Sequence, residues 1–267
     1  MFKRSYYFLN DIIEKRAIIF ELAKRDFQQQ YMGSYLGAIW IFMQPLLFIL
    51  VLYMVFTLGF RPAASADMPF ALYLVNGMIA WLYFVDNFNA NTDVIRNYSF
   101  MVKKVDFRLS ILPIVKMISA LFPHLFLLVV AVLLSWYQGY APSIYTLQVF
   151  YYLFAMSTLL LALGWLTSST SVFIKDVSRV VAIFIQFGFW LTPIFWNINM
   201  IPDKYQWVIK LNPMYYIVTG YRDSIVMQVP FWERVDIMVN FWIFTVIMMF
   251  IGIGVYRRLR PFFAEVI

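Results

Sequence analysis

Tyrosine and asparagine side chains recur along one apolar stretch of the sequence at the spacing of a helix face. Tyr73, Asn76, Tyr83, Asn87 and Asn91 follow one another at intervals of three, seven, four and four residues, which places them close to one side of an α-helix. In a membrane helix such amides can hydrogen-bond neighbouring helices and hold a bundle together. They can also form the wall of a hydrated pathway. The residues alone leave both explanations open.

Few side chains could support catalysis. Asp86, with Asn89 and Asp93, lies on a face next to this polar stripe, and an acidic group within an apolar helix is costly and often functional. His124 is the single histidine, and a lone histidine in a bundle is more often a hydrogen-bonding group than a catalyst. The chain has no cysteine, which excludes disulfides and thiolate metal sites. We therefore predict no catalytic residue, metal site or cofactor site.

Aromatic residues are abundant, with 28 Phe, 18 Tyr and 9 Trp. Most of them are expected to pack in the core or to form belts at the membrane surface. One group concentrates near the prolines of a later, interrupted segment, and aromatic rings stack well on the apolar faces of sugars. The group consists of Trp190, Trp196, Tyr205, Trp207, Tyr215, Tyr216 and Tyr221.

A short charged connection, F-I-K-D-V-S-R from Phe173 to Arg179, separates two apolar stretches. It is too short to form a domain. Its charged residues, Lys175, Asp176 and Arg179, could form a knob that docks into another protein. They could equally be an ordinary charged turn at a membrane surface.

The composition requires an integral membrane protein. Of the 267 residues, 63% are hydrophobic and only 13% are charged, with a mean hydropathy of +0.74, whereas about a quarter of the residues in soluble domains are charged. Apolar stretches of about 20 residues match a hydrocarbon core about 30 Å thick. We predict an all-α fold with six transmembrane helices, at residues 36–59, 70–92, 111–137, 147–172, 180–196 and 235–256.

Two further segments complete the predicted fold. Residues 10–31 read as an amphipathic helix at the membrane surface, with Ile13, Ala17, Phe20, Phe27 and Tyr31 on its apolar face. Residues 197–232 are interrupted by prolines and scattered charges, which favours a re-entrant helix pair before the last span. The chain then divides into an N-terminal segment, 1–35, and a six-helix membrane domain, 36–267.

Lysine and arginine predict the orientation. With six spans and the N-terminus inside, all but five of the 21 basic residues lie on the inner side, as the positive-inside rule requires. The exceptions are Arg61, Lys204, Lys210, Arg222 and Arg234. Both termini are therefore predicted to lie in the cytoplasm.

Five sequence strings resemble those of the type 2 ABC exporter permeases that move lipid-linked polysaccharides such as O-antigen, capsule and wall teichoic acid. They are Y-M-G-S-Y-L-G-A-I-W-I-F-M-Q-P (from Tyr31), V-K-K-V-D-F-R-L-S-I-L-P (from Val102), F-I-K-D-V-S-R-V-V (from Phe173), Q-F-G-F-W-L-T-P-I-F-W (from Gln186) and L-N-P-M-Y-Y-I-V-T-G-Y-R-D-S (from Leu211). They occur in the family's order over nearly the whole chain.

The resemblance implies a half-transporter in the bacterial cytoplasmic (inner) membrane. Two copies of the chain would join two copies of a separate P-loop ATPase, which binds ATP and Mg²⁺. This fits a chain in which no glycine is followed by lysine, so that it has no P-loop of its own. Its other partners would be membrane lipids and the lipid-linked polysaccharide, and no nucleic acid is expected.

The resemblance also suggests roles for individual residues. Tyr35, Leu36 and Gly37 would form the loop at the substrate entrance. The channel that the resemblance implies would be lined by the residues of the polar stripe and one tryptophan: Tyr73, Asn76, Tyr83, Asn87, Asn91 and Trp190. This lining is our interpretation of their spacing and residue types. Trp196, Tyr215, Tyr216 and Tyr221 would form the exit gate. Arg25, Asp26, Lys103, Lys104, Lys175, Asp176 and Arg179 would couple the chain to the ATPase.

Three alternatives remain from the sequence. A type 2 exporter of drugs or lipids would have the same spans, although the polar stripe and the aromatic group favour a sugar cargo. A membrane glycosyltransferase or acyltransferase would need an acid or a base, for which His124 and Asp86 are the candidates. A scaffold that only anchors a partner is the third.

Overall fold

The computed structural model describes residues 13–30, 35–37, 39–60, 68–99 and 108–266, and all regular structure within these ranges is helical. The helices are α1 (Arg16–Gln29), α2 (Ile39–Met54), α3 (Phe70–Thr92), α4 (Val94–Asn97), α5 (Leu112–Tyr137), α6 (Gln148–Ser171), α7 (Val177–Leu191), α8 (Asp203–Lys210), α9 (Pro213–Arg222), α10 (Val235–Leu259) and α11 (Phe263–Val266). Turns of π-helix extend α2 (Val55–Phe60) and α9 (Asp223–Met227). The all-α prediction is confirmed for this part of the chain.

Four helical stretches of the described chain are long and apolar enough to cross a membrane. They are Ile39–Gly59, Leu109–Tyr137, Ile144–Ser171 and Val235–Val266, which contain α2, α5, α6 and α10. The protein is therefore an integral membrane protein. The 23 residues of α3 give a length of roughly 35 Å, but their amides and carboxylate lower the hydropathy. The 15 residues of α7 reach only about 22 Å.

The core is built around α3. This helix contacts α5, α6 and α9, and it contributes buried residues such as Leu72, Met78 and Tyr83 to the main cluster. Another extensive helix pair joins α6 to α10 along their length. Because α3 is enclosed by its neighbours, it can carry polar side chains that a lipid-facing helix cannot.

A helix is present where the sequence predicts the amphipathic segment, and the side that it packs against its own chain differs from the predicted apolar face. α1 buries Ile19, Ala23 and Asp26 and packs on Val115 of α5 and on Ile111 just before it. Of the face predicted from the sequence, Ile13, Ala17 and Phe20 are exposed, Phe27 contacts the ring of Phe122, and Tyr31 lies outside the described residues. The spacing identified an apolar side, whereas α5 selects the side that lies next to it.

The interrupted stretch before α10 consists of short elements. α7 ends at Leu191, and Thr192 continues with an extended backbone. The eight residues of α8 and the ten of α9 follow, with Asn212 between them. The side chain of Asn212 accepts a hydrogen bond from the backbone N–H of Met214 at 3.0 Å, which caps the start of α9.

Candidate functional site

Arg222, at the end of α9, joins three parts of the chain. It is 5% exposed, and its Nε donates to the carbonyl oxygen of Tyr73 at 3.1 Å, while Nη2 donates to the carbonyl of Ile194 at 2.9 Å. The guanidinium carbon lies 3.4 Å from the centre of the Tyr73 ring, a cation–π contact. A Cβ at Gly77 would lie 2.7 Å from Nη2, so the glycine leaves room for this arginine.

Tyr73, in α3, binds the segment that follows α7 through its side chain. Its hydroxyl donates to the carbonyl oxygens of Trp196, at 2.7 Å, and Pro193, at 3.3 Å. Asn212 adds a link by donating to the hydroxyl of Thr192 at 2.9 Å. The backbone from Thr192 to Trp196, which makes no regular helix, is thus fixed to both α3 and α9.

An ion pair between the buried Asp223 and the partly exposed Arg234 lies next to this cluster. Asp223 accepts two hydrogen bonds from Arg234, at 2.9 Å from Nε and 3.2 Å from Nη2, and its side chain is 3% exposed. Two parallel N–H···O bonds give such a pair both strength and a fixed geometry. These hydrogen bonds raise the pKa of the Arg234 guanidinium. The pair ties the end of α9 to the start of α10.

The residues predicted for the exit gate pack among other aromatic side chains. The hydroxyl of Tyr216 lies 3.0 Å from that of Tyr151, and Tyr221 is fully buried. Trp196 and Tyr215 are half-buried. A Cβ at Gly220 would lie 2.1 Å from the ring of Tyr152, so this glycine permits the close contact. The gate role of the four residues stays a prediction.

The polar stripe of α3 lies inside the bundle of this single chain. Asn76, Asn87 and Asn91 are fully buried, and the first two donate to the carbonyls four residues earlier at 2.8 Å. Their Oδ1 atoms, and both amide atoms of Asn91, have no hydrogen-bond partner in the described part of the chain. The hydroxyl of Tyr83 donates to the carbonyl of Met117 at 3.4 Å. The channel-lining role of these residues stays a prediction.

The remaining predicted lining residue has a different environment. Trp190, near the end of α7, is 60% exposed. It continues an exposed apolar side of α7 that includes Ile183, Phe184 and Phe187. This side is available to lipid, to cargo or to a second copy of the chain.

His124 lies in the core of the bundle, away from any surface. It is 2% exposed, its Nε2 lies 2.9 Å from the hydroxyl of Tyr221, and its ring centre lies 4.6 Å from that of Tyr83. The imidazole is enclosed by side chains of its own bundle, so the packing agrees with a structural histidine.

A buried ion pair connects α1 to α5. The carboxylate of Asp26 contacts the ammonium group of Lys116, and the two side chains are only 6% and 12% exposed. The hydroxyl of Tyr98 donates to the same carboxylate at 3.1 Å, and Gln30 donates at 3.4 Å. Burial, with the Asp26 charge adding to it, raises the pKa of the Tyr98 hydroxyl, which keeps it a donor. These four residues form what we call the α1 joint.

The other residues predicted to couple the chain to an ATPase are exposed where the structure describes them. Arg25 forms an exposed pair with Glu21. Arg179 lies 3.3 Å from Asp176, with both side chains open to solvent, and Lys175 is exposed beside them. Lys103 and Lys104 lie outside the described residues. Among the members of this group that the structure describes, only Asp26 is turned into its own chain.

The predicted entrance loop lies on the surface before α2. Tyr35 and Leu36 are exposed, and Gly37 has a φ of 49°, in the left-handed region that favours glycine. The carbonyl of Leu36 accepts from the backbone N–H of Ile39 at 3.1 Å. The loop is thus a tight turn that presents an aromatic ring, and its contact with a substrate stays a prediction.

Sequence reasoning misses two residues of these sites, Arg222 and Lys116. In the sequence, Arg222 counts only as a basic residue on the outer side. Its partners are backbone carbonyls far along the chain, which leave no signal in the residue types. Lys116 stands in a stretch that is otherwise apolar, and that isolation is the one signal that could identify it.

Comparison with known proteins gives the family. Residues 18–226 match the ABC-2 type transporter family. The chain is 27% identical over 258 residues to an O-antigen export system permease protein RfbA of Klebsiella pneumoniae, with 92% of this chain and 93% of the relative covered. A Myxococcus xanthus protein of the same name is 24% identical over 216 residues, covering 80% of this chain and 82% of the relative. The chain described here belongs to the ABC-2 type transporter family of membrane proteins.

Proposed function

We propose that the chain is the permease subunit of an ATP-driven transporter that exports a lipid-linked polysaccharide of the O-antigen or teichoic acid type across the bacterial cytoplasmic membrane. The observation that carries the proposal is the similarity to O-antigen export permeases over nearly the full length of both chains. The exposed aromatic residues near the end of α7 support a sugar cargo, because ring faces stack on sugars.

The proposed membrane arrangement has six spans: α2, α3, α5, α6, α7 and α10. α3 is long enough to cross, and its neighbours cover Asn76, Asn87 and Asn91. α7 is short, and the pair α8–α9 with the fixed segment after α7 would form a re-entrant structure. Irregular backbone at membrane depth is tolerated where protein covers it, and Tyr73 and Arg222 provide such cover. The distribution of basic residues supports cytoplasmic termini.

The driving force would come from a separate P-loop ATPase, with two copies of it and two of this chain in the complex. The exposed groups of α1 and the charged turn before α7 are the proposed contacts. In this arrangement Asp26 acts through Lys116, because it links α1 to α5 and does not face a partner. Motion of the ATPase would then reach the membrane helices through the α1 joint.

The function is tested by purification and reconstitution. The detergent-solubilised chain should co-purify with a P-loop ATPase, and vesicles containing both proteins should move a lipid-linked glycan across the bilayer when ATP is added. The chain alone should move none. Export by the chain without an ATPase, or a full complement of surface glycan on cells that lack the chain, would refute the proposal. Transport of small drugs or lipids, with no transport of glycan, would favour the alternative exporter.

A further inference from the structure

Asp86 and Asn89 are exposed on α3, which is otherwise the most enclosed of the long helices. They are the only residues of α3 that are exposed in the described chain, and they lie three positions apart on one side of the helix. Leu82 and Asp93, which continue this side, are half-buried. Asp86 is six residues from the end of α3 at Thr92, or about 9 Å along the axis, well within the thickness of a membrane.

The other long helices expose a different kind of surface. Every exposed residue of α5 and α6 is apolar or aromatic, and the same holds for the middle of α10. Val129, Phe154 and Ile243 are examples. These surfaces suit lipid chains. A carboxylate on such a surface would be costly, and acidic residues in membrane helices almost always face a bundle interior or a water-filled cavity.

Two neighbours of α3 also expose polar groups. Within α2 and α7, which both pack on α3, the exposed residues include one glutamine each, Gln44 and Gln186. At the end of this side of α3, Asp93 accepts a hydrogen bond from the hydroxyl of Ser178 in α7 at 2.8 Å. α3 and its two neighbours thus each carry exposed carboxylate or amide groups, which the exposed sides of α5 and α6 lack.

We propose that Asp86 and Asn89 form a subsite that binds sugar hydroxyl groups of the exported chain. A carboxylate accepts hydrogen bonds, whereas an amide both donates and accepts, so the two groups together suit the hydroxyls of a sugar ring. No cation lies within 4.0 Å of Asp86 among the described residues, so the carboxylate is available to a neutral cargo. The assignment rests on the proposed function.

Accessibility can be measured directly because the chain contains no cysteine. Asp86→Cys and Asn89→Cys are made in the complete transporter, together with Leu125→Cys on the exposed apolar side of α5. We expect a membrane-impermeant, water-soluble thiol reagent to label the first two variants and to leave the third unlabelled. Added lipid-linked glycan should slow the labelling at 86 and 89 at least fivefold. Absence of labelling at both positions would overturn the subsite.

Binding is tested by transport kinetics in vesicles that contain the permease and its ATPase. Asp86→Leu should raise the glycan concentration for half-maximal export about tenfold, the effect of losing one hydrogen bond to a charged group. Asp86→Asn, which keeps a polar group of the same size, should cause a smaller rise. Asp236→Asn, which changes an exposed carboxylate in the first turn of α10, is the control and should leave export unchanged.

The outcomes separate this inference from the proposed function. Normal glycan export by Asp86→Leu, with the wild-type complex active, would overturn the subsite and leave the function standing. A second outcome would also overturn the subsite. Asp86→Leu and the double variant Lys103→Met/Lys104→Met would lose export equally, and glycan would not slow the labelling at positions 86 and 89. The Asp86 carboxylate would then belong to an ion pair. Failure of the wild-type complex to export any glycan would instead refute the proposed function.

Discussion

Replacing Asp26 by asparagine should release α1 from α5. The carboxylate and the Lys116 ammonium are almost completely buried, and Tyr98 and Gln30 donate to the same carboxylate. The substitution keeps the size of the side chain and removes its charge. Lys116 would then retain a buried charge without its counter-ion, which is the costly situation for an ion pair in a protein interior.

The expected cost is about 3 kcal/mol, the lower end of the range for breaking a buried pair by removing one partner. Since each 1.36 kcal/mol is tenfold, the open state of α1 should become roughly 150-fold more populated. Glu21→Gln is the matched control on the same helix. It breaks a pair whose side chains are 67% and 55% exposed, which is worth less than about 1 kcal/mol.

Hydrogen exchange of the α1 amides in the solubilised full-length chain measures this opening. Exchange should accelerate about 100-fold or more in Asp26→Asn and less than about fivefold in Glu21→Gln. The double variant Asp26→Asn/Lys116→Met should recover much of the protection, because it removes the unpaired charge as well. Equal exchange in the two single variants, or no recovery in the double variant, would show that the ion pair does not hold α1.

Three further perturbations have defined outcomes. Gly220→Ala should lower the melting temperature of the solubilised protein by an amount that corresponds to about 1–3 kcal/mol, because the added Cβ would overlap the Tyr152 ring. Gly254→Ala is the control and should leave the melting temperature unchanged, because the space around Gly254 is open. Asn212→Ala should cost about 1 kcal/mol in the same assay through the lost cap of α9, and an unchanged melting temperature would contradict the capping role. The charge reversal Lys175→Glu/Arg179→Glu should abolish co-purification with the ATPase without changing the melting temperature, and retained co-purification would exclude the turn before α7 as a contact.

The sequence predicts well what depends on local pattern. Long apolar stretches identify α2, α5, α6 and α10, because the length of an apolar run is enough to indicate a membrane helix. The prolines and charges between 197 and 232 indicate a broken segment, and short helices occupy it. The helical spacing of Asn76, Asn87 and Asn91 is also correct, since they share one side of α3.

The sequence predicts poorly what depends on distant partners. It does not tell whether the asparagine side of α3 or the side with Asp86 is enclosed, because both sides carry polar residues. The same limit applies to α1, where α5 selects Ile19 and Ala23 for burial. The burial of Arg222 is set by carbonyls 149 and 28 positions away, and no local pattern encodes contacts of that range.

In the proposed six-span arrangement, the shortness of α7 has a consequence for the lipid beside it. A helix about 22 Å long is roughly 8 Å shorter than an average hydrocarbon layer, and such a mismatch is relieved when the bilayer thins locally. The bilayer next to α7 would therefore be thinner than elsewhere. A charged headgroup that crosses there would have a shorter path through the hydrocarbon layer. The free-energy barrier for moving the polar headgroup of an amphiphile across the bilayer would be lowest at this thinned region.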